Sequence, residues 1–229
     1  MRDEMKHVVL TGVSRGLGKA LFGFLVSRED VHLIGMGRMF PKDVLDEKSA
    51  NHVACHLSEP ETLPPLKDII PKDGDVIFIN NAGTVAPIGA VGTLSEDQLR
   101  NAAAVNYISP MLLSNQLVAL CKENGQKLRI VNISSGAAHY PISGWAAYCS
   151  SKAAFKMFLD VAAEQEKSEG RIEVVHVDPG VMDTGMQEQI RASDADGFPR
   201  LAEFQAYKTT GKLRTPEEVA QQIIREYIP

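Results

Sequence analysis

A short apolar run, His7-Val8-Val9-Leu10-Thr11, leads directly into Gly12-Val13-Ser14-Arg15-Gly16-Leu17-Gly18, and a helical pattern follows from Lys19 to Arg28. Buried strand, glycine turn and helix, in that order, make up the context of a dinucleotide fingerprint. The glycines allow a tight turn and let backbone amides approach a pyrophosphate, and the helix N-terminus adds a positive field. A glycine triplet alone also fits a plain strand–helix turn, and the spacing here is Gly-x-x-x-Gly-x-Gly rather than the commoner Gly-x-Gly-x-x-Gly. The flanking strand and helix favour the dinucleotide reading, with Gly12, Ser14, Arg15, Gly16, Leu17 and Gly18 as candidate cofactor contacts.

Val31 to Met36 reads as a second strand, ending in Gly37-Arg38. An acidic residue near this point binds the ribose 2′-hydroxyl of NAD. No Asp or Glu occurs between Val31 and Pro41. Arg38 and Arg15 instead suit a 2′-phosphate, which a planar guanidinium matches, so the charge pattern favours NADP over two arginines that merely face solvent. Further strands are expected at 51–57, 75–79, 129–134 and 171–177. Six strand–helix alternations imply an α/β fold, a doubly wound parallel sheet of the Rossmann type. The 229 residues suit a single domain spanning 1–229, and 44% apolar with 23% charged residues is ordinary for a globular chain.

Between the strands, Ser95-Glu96-Asp97-Gln98 is expected to open a helix with a capping box. Asn106 inside that helical stretch marks a kink or a buried polar role, and Pro110 supports a break before a long apolar helix over 111–121. Residues 181–213 show little period and are expected to form a mobile segment covering the substrate. Thr215-Pro216-Glu217-Glu218 opens a last helix.

The chemistry concentrates between Ser134 and Lys152. The apolar run Ile130-Val131-Asn132-Ile133 closes on Ser134-Ser135, and Tyr148 and Lys152 follow, four residues apart, in a helical pattern extending to Lys167. That spacing puts phenol and ammonium on one helix face. A nearby ammonium favours the phenolate and is expected to pull the phenol below its ordinary value of about 10. A tyrosine tuned in this way exchanges a proton with a carbonyl or an alcohol. By itself Tyr-x-x-x-Lys is common on surface helices, and it is the remaining motifs that favour the chemical reading.

A net charge of −5 gives no basic footprint for nucleic acid. No apolar run approaches the ~18 residues of a membrane helix. The start, Met1 to His7, is charged and lacks the apolar centre of a signal peptide. Cys55, Cys121 and Cys149 lack metal-like spacing and read as reduced thiols of a cytoplasmic protein. Cys149 reads as a packing residue, since no histidine is placed locally to activate it.

Thr11-Gly12-x-x-x-Gly16-x-Gly18, Asn80-Asn81-Ala82-Gly83, Asn106, Ser135, Tyr148-x-x-x-Lys152 and Pro179-Gly180 occur in order between residue 8 and about residue 184. The ordered set resembles the short-chain dehydrogenase/reductase family. The resemblance implies that Tyr148 is the general acid/base and that Ser135 binds the substrate oxygen. Lys152 would hold the nicotinamide ribose and lower the tyrosine pKa, and Asn106 would position a water in a proton relay. It also implies cofactor contacts at Leu57, Asn81, Ala82, Gly83, Pro179, Gly180, Val181 and Thr184. Where the family carries an Asp against the adenine, His56-Leu57 stands here. The family pattern continues with a seventh strand after the last helix, whereas this sequence reaches Pro229 with six expected strands.

Gly144-Trp145-Ala146-Ala147-Tyr148-Cys149 and the stretch Pro179 to Gln187 are similar to segments of the family's sepiapterin reductase and bacterial benzil reductase branches. That likeness implies NADPH-dependent reduction of a small-molecule ketone or vicinal dicarbonyl. Trp145, Met182, Met186, Phe204 and Tyr207, with Ser135, are the candidate substrate contacts. They suit a flat apolar substrate, and one or two of them are expected to belong to the core. The alternatives are a 3-oxoacyl or sugar-alcohol reductase and, in a different class, a non-catalytic NADP-sensing protein. Apolar residues on more than one face of the helices at 111–121 and 148–167 suggest a two-fold homodimer.

Overall fold

The computed structural model describes residues 5–40 and 50–228, so Met1–Glu4 of the charged start lie outside the described residues. Six strands form one parallel sheet: β1 (Lys6–Thr11), β2 (Val31–Gly37), β3 (Ala50–Ala54), β4 (Asp75–Asn80), β5 (Leu128–Ile133) and β6 (Ile172–Val177). Their order is β3-β2-β1-β4-β5-β6. Chain direction across the sheet reverses between β1 and β4, and in open α/β sheets ligands bind at the carboxyl ends beside such a reversal. Among the described residues, seven α-helices accompany the sheet: α1 (Gly16–Val26), α2 (Glu96–Ala103), α3 (Ser109–Asn124), α4 (Ala146–Gln165), α5 (Gly185–Arg191), α6 (Leu201–Thr209) and α7 (Pro216–Tyr227).

Alternation along the strands explains why both faces are covered. Val8 and Leu10 of β1, with Ile77 and Ile79 of β4, pack with α1 and α7. Val9, Val76 and Phe78 point the other way, to Leu113 and Leu117 of α3 and Phe155 and Leu159 of α4. Successive side chains leave a strand on opposite faces, so a sheet buried on both sides reads as a continuous apolar run. The expected strand at 75–79 and the Ile130–Ile133 part of the next are largely runs of this kind, whereas β6, at the sheet edge, interleaves Glu173 and His176.

The third strand is shorter than expected, ending at Ala54 rather than Leu57. A turn closes there, with the Glu59 amide donating to the His56 carbonyl, and the Ser109 hydroxyl donates to the Leu57 carbonyl at 2.7 Å. The first helix starts at Gly16, not Lys19. Ser95 caps α2 by accepting from the Gln98 amide, while a fully reciprocal box forms at α7 between Thr215 and Glu218. Asn106 does mark an irregularity, a π-helical turn over Ala104–Ile108. No break occurs at Pro110, because it falls in the first turn of α3, where a missing amide proton costs little.

Residues 181–213 are not the irregular segment expected. They fold into α5 and α6, and Ile190, Phe198 and Phe204 are buried around Trp145. Both helices are short and converge on one aromatic cluster, so no long apolar stripe appears in the sequence. Among the described residues, no helix is long and apolar enough to cross a membrane.

Candidate active site

A cleft of about 550 Å³ opens along the carboxyl ends of β1, β4, β5 and β6. Every expected cofactor contact lines it: Gly12, Ser14, Arg15, Gly16, Leu17, Gly18, Arg38, Leu57, Asn81, Ala82, Gly83, Pro179, Gly180, Val181 and Thr184, with Tyr148 and Lys152. The glycine turn is held by contacts that admit no side chain. A Cβ on Gly18 would lie 2.0 Å from the Gly12 carbonyl oxygen. Gly12 has φ +74°, and a Cβ there would lie 2.9 Å from the Ala82 Cα. The loop after β4 is tied to the same turn: the Asn81 side-chain amide donates to the carbonyls of Thr11 (2.9 Å) and Gly12 (3.3 Å), and the backbone amides of Asn81 and Ala82 both donate to the Thr11 hydroxyl at 3.1 Å. Arg15 sits at the N-cap of α1, and Arg38 is exposed just beyond β2.

At the other end of the cleft, β5 delivers Ser135 and α4 delivers Tyr148 and Lys152. The Ser135 hydroxyl accepts from the Ala137 amide at 3.2 Å and lies near enough to the Tyr148 phenol to favour its ionised form. The Lys152 ammonium donates to the Ile133 carbonyl at 2.7 Å and lies 5.8 Å from the centre of the Tyr148 ring. Both side chains are buried.

Burial reverses the expected tuning of this pair. Desolvation pushes the Tyr148 phenol up to about 12; the Ser135 hydroxyl opposes this, and the charges of Asp178 and Cys149 add to it. Desolvation pushes the Lys152 ammonium down to about 8, with Asp178 holding it up. The expectation of a phenol below its ordinary value is therefore corrected: burial is the largest influence on it and carries it above. Removal from water disfavours the phenolate more than the Ser135 hydroxyl favours it.

Asn106 stands behind the cleft rather than in its wall. Its amide is engaged on both sides by Thr84, accepting from the backbone amide and donating to the carbonyl, each at 2.8 Å. Its side chain thus holds the loop that carries Asn81, Ala82 and Gly83.

Trp145, Met182, Met186, Phe204 and Tyr207 line the same cleft as Ser135. Trp145 and Phe204 are also core residues, each 5% exposed. The indole stacks on Phe198 at 5.2 Å and meets Phe204 and Tyr148 edge-on. Cys149 packs at the margin of this cluster. Sequence reasoning missed Ile142, Asp178, Gln187, Ile190 and Arg200 in the wall. Asp178 carried a local signal, as the residue immediately before Pro179-Gly180 at a strand end, and Gln187 closes the Pro179–Gln187 stretch.

The donor set fits a dinucleotide. The glycine turn leaves no room for side chains, two arginines flank it, and the buried Ser134 hydroxyl in the wall has no hydrogen-bond partner among the described residues. No cluster of three or more His, Cys, Asp or Glu suited to a metal occurs among the described residues.

Fold and cleft together define a nucleotide-binding α/β oxidoreductase scaffold. The chain belongs to the short-chain dehydrogenase family, whose model, described as short chain dehydrogenase, matches residues 6–195. It is 36% identical to a benzil reductase ((S)-benzoin forming) of Bacillus cereus, over 96% of this chain and 92% of that protein. It is 28% identical to the sepiapterin reductase of Bos taurus, over 94% of this chain and 87% of that protein. Among solved structures, the KRED1-Pglu enzyme superposes with a TM-score of 0.82 at 28% identity, covering 98% of this chain and 97% of that one.

Proposed function

We propose that this protein is an NADPH-dependent reductase of flat, apolar vicinal dicarbonyls of the benzil type. The observation that carries this reading is the convergence of Ser135, Tyr148 and Lys152 at the end of a glycine-turn cleft walled by Trp145 and Phe204. The likeness to benzil reductases supports it. The aromatic wall disfavours a sugar or a 3-oxoacyl chain, and a sensor has no need of the Ser–Tyr–Lys set.

The cofactor's phosphates would lie on the Gly12–Gly18 turn, its 2′-phosphate between Arg15 and Arg38, and its ribose by Lys152. When bound, the nicotinamide supplies the hydride that a carbonyl carbon takes up. The chain's own residues manage the oxygen. Ser135 and Tyr148 present hydroxyls to it from one side. With the phenol pushed up to about 12, Tyr148 carries the proton throughout the neutral range, and its release depends on stabilising the tyrosinate. As the carbon gains hydride, the oxygen takes the phenolic proton and the alcohol forms. Lys152, while charged, and the Ser135 hydroxyl stabilise the tyrosinate left behind.

NADPH absorbance is expected to fall when the protein meets benzil, and NADH is expected to serve poorly. Arg38→Asp exchanges a phosphate partner for a ribose acceptor. Hydrogen bonds to charged groups contribute about 1.5–3 kcal/mol, so the KM for NADPH is expected to rise roughly 10- to 100-fold while NADH improves. Equal use of both cofactors by the parent would contradict the NADPH assignment, and no consumption with benzil would contradict the substrate.

Leu99, Ile108 and Leu112 on the α2–α3 side and Met157 and Val161 on α4 remain exposed. We propose that this apolar surface is buried in a two-fold homodimer. Light scattering at micromolar concentration is expected to give twice the chain mass; the mass of one chain would rule the dimer out.

A further inference from the structure

A row of polar side chains crosses the sheet beneath the cleft. Asn80 on β4, Asn132 on β5 and His176 on β6 are register partners. Their side chains bond in series. Asn80 Nδ2 donates to Asn132 Oδ1 at 3.1 Å, Asn132 Nδ2 meets His176 Nδ1 at 3.1 Å, and His176 Nε2 meets Asp160 Oδ1 of α4 at 2.9 Å. The other Asp160 oxygen accepts from Lys156 at 2.6 Å. Both asparagines are buried.

The row has one consistent set of protons. Burial pushes the Asp160 carboxyl up, but Lys156 and His176 together outweigh it and hold the group below the usual carboxylate range, so at neutral pH it is ionised and only accepts. His176 must then carry its proton on Nε2, which leaves Nδ1 as the acceptor for Asn132. A second proton on His176 would set Nδ1–H against the Asn132 NH2. Turning that amide over would relieve the conflict, but would bring its NH2 against Asn80. The disturbance therefore runs along the row.

Two members of the row directly precede residues that build the site, and its far end lies on the helix that carries Tyr148 and Lys152. Asn80 precedes Asn81, whose amide holds Thr11 and Gly12. Asn132 precedes Ile133, whose carbonyl holds Lys152. Asp160 and Lys156 follow Lys152 and Tyr148 along α4 at four-residue intervals, on one helix face.

We propose that neutral His176 is a positioning residue, locking α4 with Tyr148 and Lys152 against β5 and the Asn81 loop, and that its protonation releases this lock at mildly acidic pH. The proposal rests on the reductase reading for its kinetic readout. The groups facing the ring are Asp160 and Lys156 on α4, Asn132 on β5 and, after β5, His139. Burial, Lys156 and His139 disfavour the imidazolium more than Asp160 favours it, so the ring titrates below its ordinary value. The sign follows. The folded protein binds this proton less readily than the unfolded chain, so the lock is complete above the unfolded value of about 6.5 and is lost as pH falls through the folded one.

The test is kcat/KM for benzil reduction by NADPH between pH 5 and 8. In the parent it is expected to fall tenfold per pH unit below a single break. Asp160→Asn removes the carboxylate that favours the imidazolium, so its break should move to lower pH. His176→Asn keeps an acceptor for Asn132 without titrating, so its break should vanish. A break at one pH in all three proteins would overturn the proposal. Imidazole nitrogen NMR of the parent at pH 7.5 gives an independent reading: the Nε2–H form is expected, and an Nδ1–H form would overturn the proposal whatever the activity. If the parent fails to turn over benzil, the substrate assignment falls alone, and fluorescence titration of NADPH binding across the same pH range must give the same three patterns or the proposal falls too.

Discussion

Tyr148→Phe is expected to lose turnover by ~10²–10⁴-fold, the range that a positioned general acid supplies. The substitution removes one hydroxyl and keeps the ring. The edge-on contact with Trp145, at 5.7 Å, survives it. So does the wall of the cleft, and NADPH affinity should stay within about twofold, far short of the acid-catalysis range. Ser135→Ala should cost less, since it removes one hydrogen bond to the carbonyl oxygen and leaves the proton donor in place. The distinguishing measurement is turnover at saturating NADPH. A Tyr148→Phe protein matching the parent within about twofold would show that the acid lies elsewhere.

The parts of the molecule that were legible in the sequence are those governed by short-range rules. A Cβ at Gly18 has nowhere to go, so the glycine turn is written in residue types. Strands covered on both faces become apolar runs, so five of the six were placed within a residue or two. The third strand stops short at Ala54 because the chain turns between His56 and Glu59, and the apolar Leu57 meets the distant Ser109 hydroxyl instead of a neighbouring strand. The aromatic cluster hid α5 and α6 for a similar reason: Phe198 and Phe204 meet Trp145 from across the chain.

Which residues meet in the cleft was legible, but the energies were not. A four-residue interval puts Tyr148 and Lys152 on one helix face but says nothing of burial, and burial sets the sign of the tyrosine shift. The row from Asn80 to Asp160 depends on register across three strands and a helix, and its members lie up to 96 residues apart in a chain of 229. Asp178 acts on both Tyr148 and Lys152 from a third strand end.

Lys152 gives the second large effect. The kcat/KM profile reports the ionisations of the free enzyme. With the ammonium at about 8 and the phenol at about 12, the alkaline limb of carbonyl reduction should belong to Lys152. Activity should fall tenfold per pH unit above about 8 as the charge that stabilises the tyrosinate is lost. Asp178→Asn removes a carboxylate that favours the ammonium, so the limb should move to lower pH. Lys152→Met should lose ~10²–10³-fold at pH 7, the scale on which a preorganised electrostatic contact acts. It should also weaken cofactor binding, because the ammonium serves two partners.

The same residue makes a stability prediction with a definite sign. Its folded value of about 8 lies below the ordinary 10.5, so the unfolded chain binds this proton more readily. The stability associated with Lys152 is complete above 10.5 and is lost as pH falls through about 8. Relative to Lys152→Met, the parent should therefore gain stability between pH 8 and 10.5, by roughly 3 kcal/mol for a difference of 2.5 in pKa. Urea unfolding of both proteins at the two pH values measures this difference, and packing losses common to both pH values cancel. A gap that does not change with pH would mean that Lys152 ionises as it does in water, and the alkaline limb would then have to be assigned to another group.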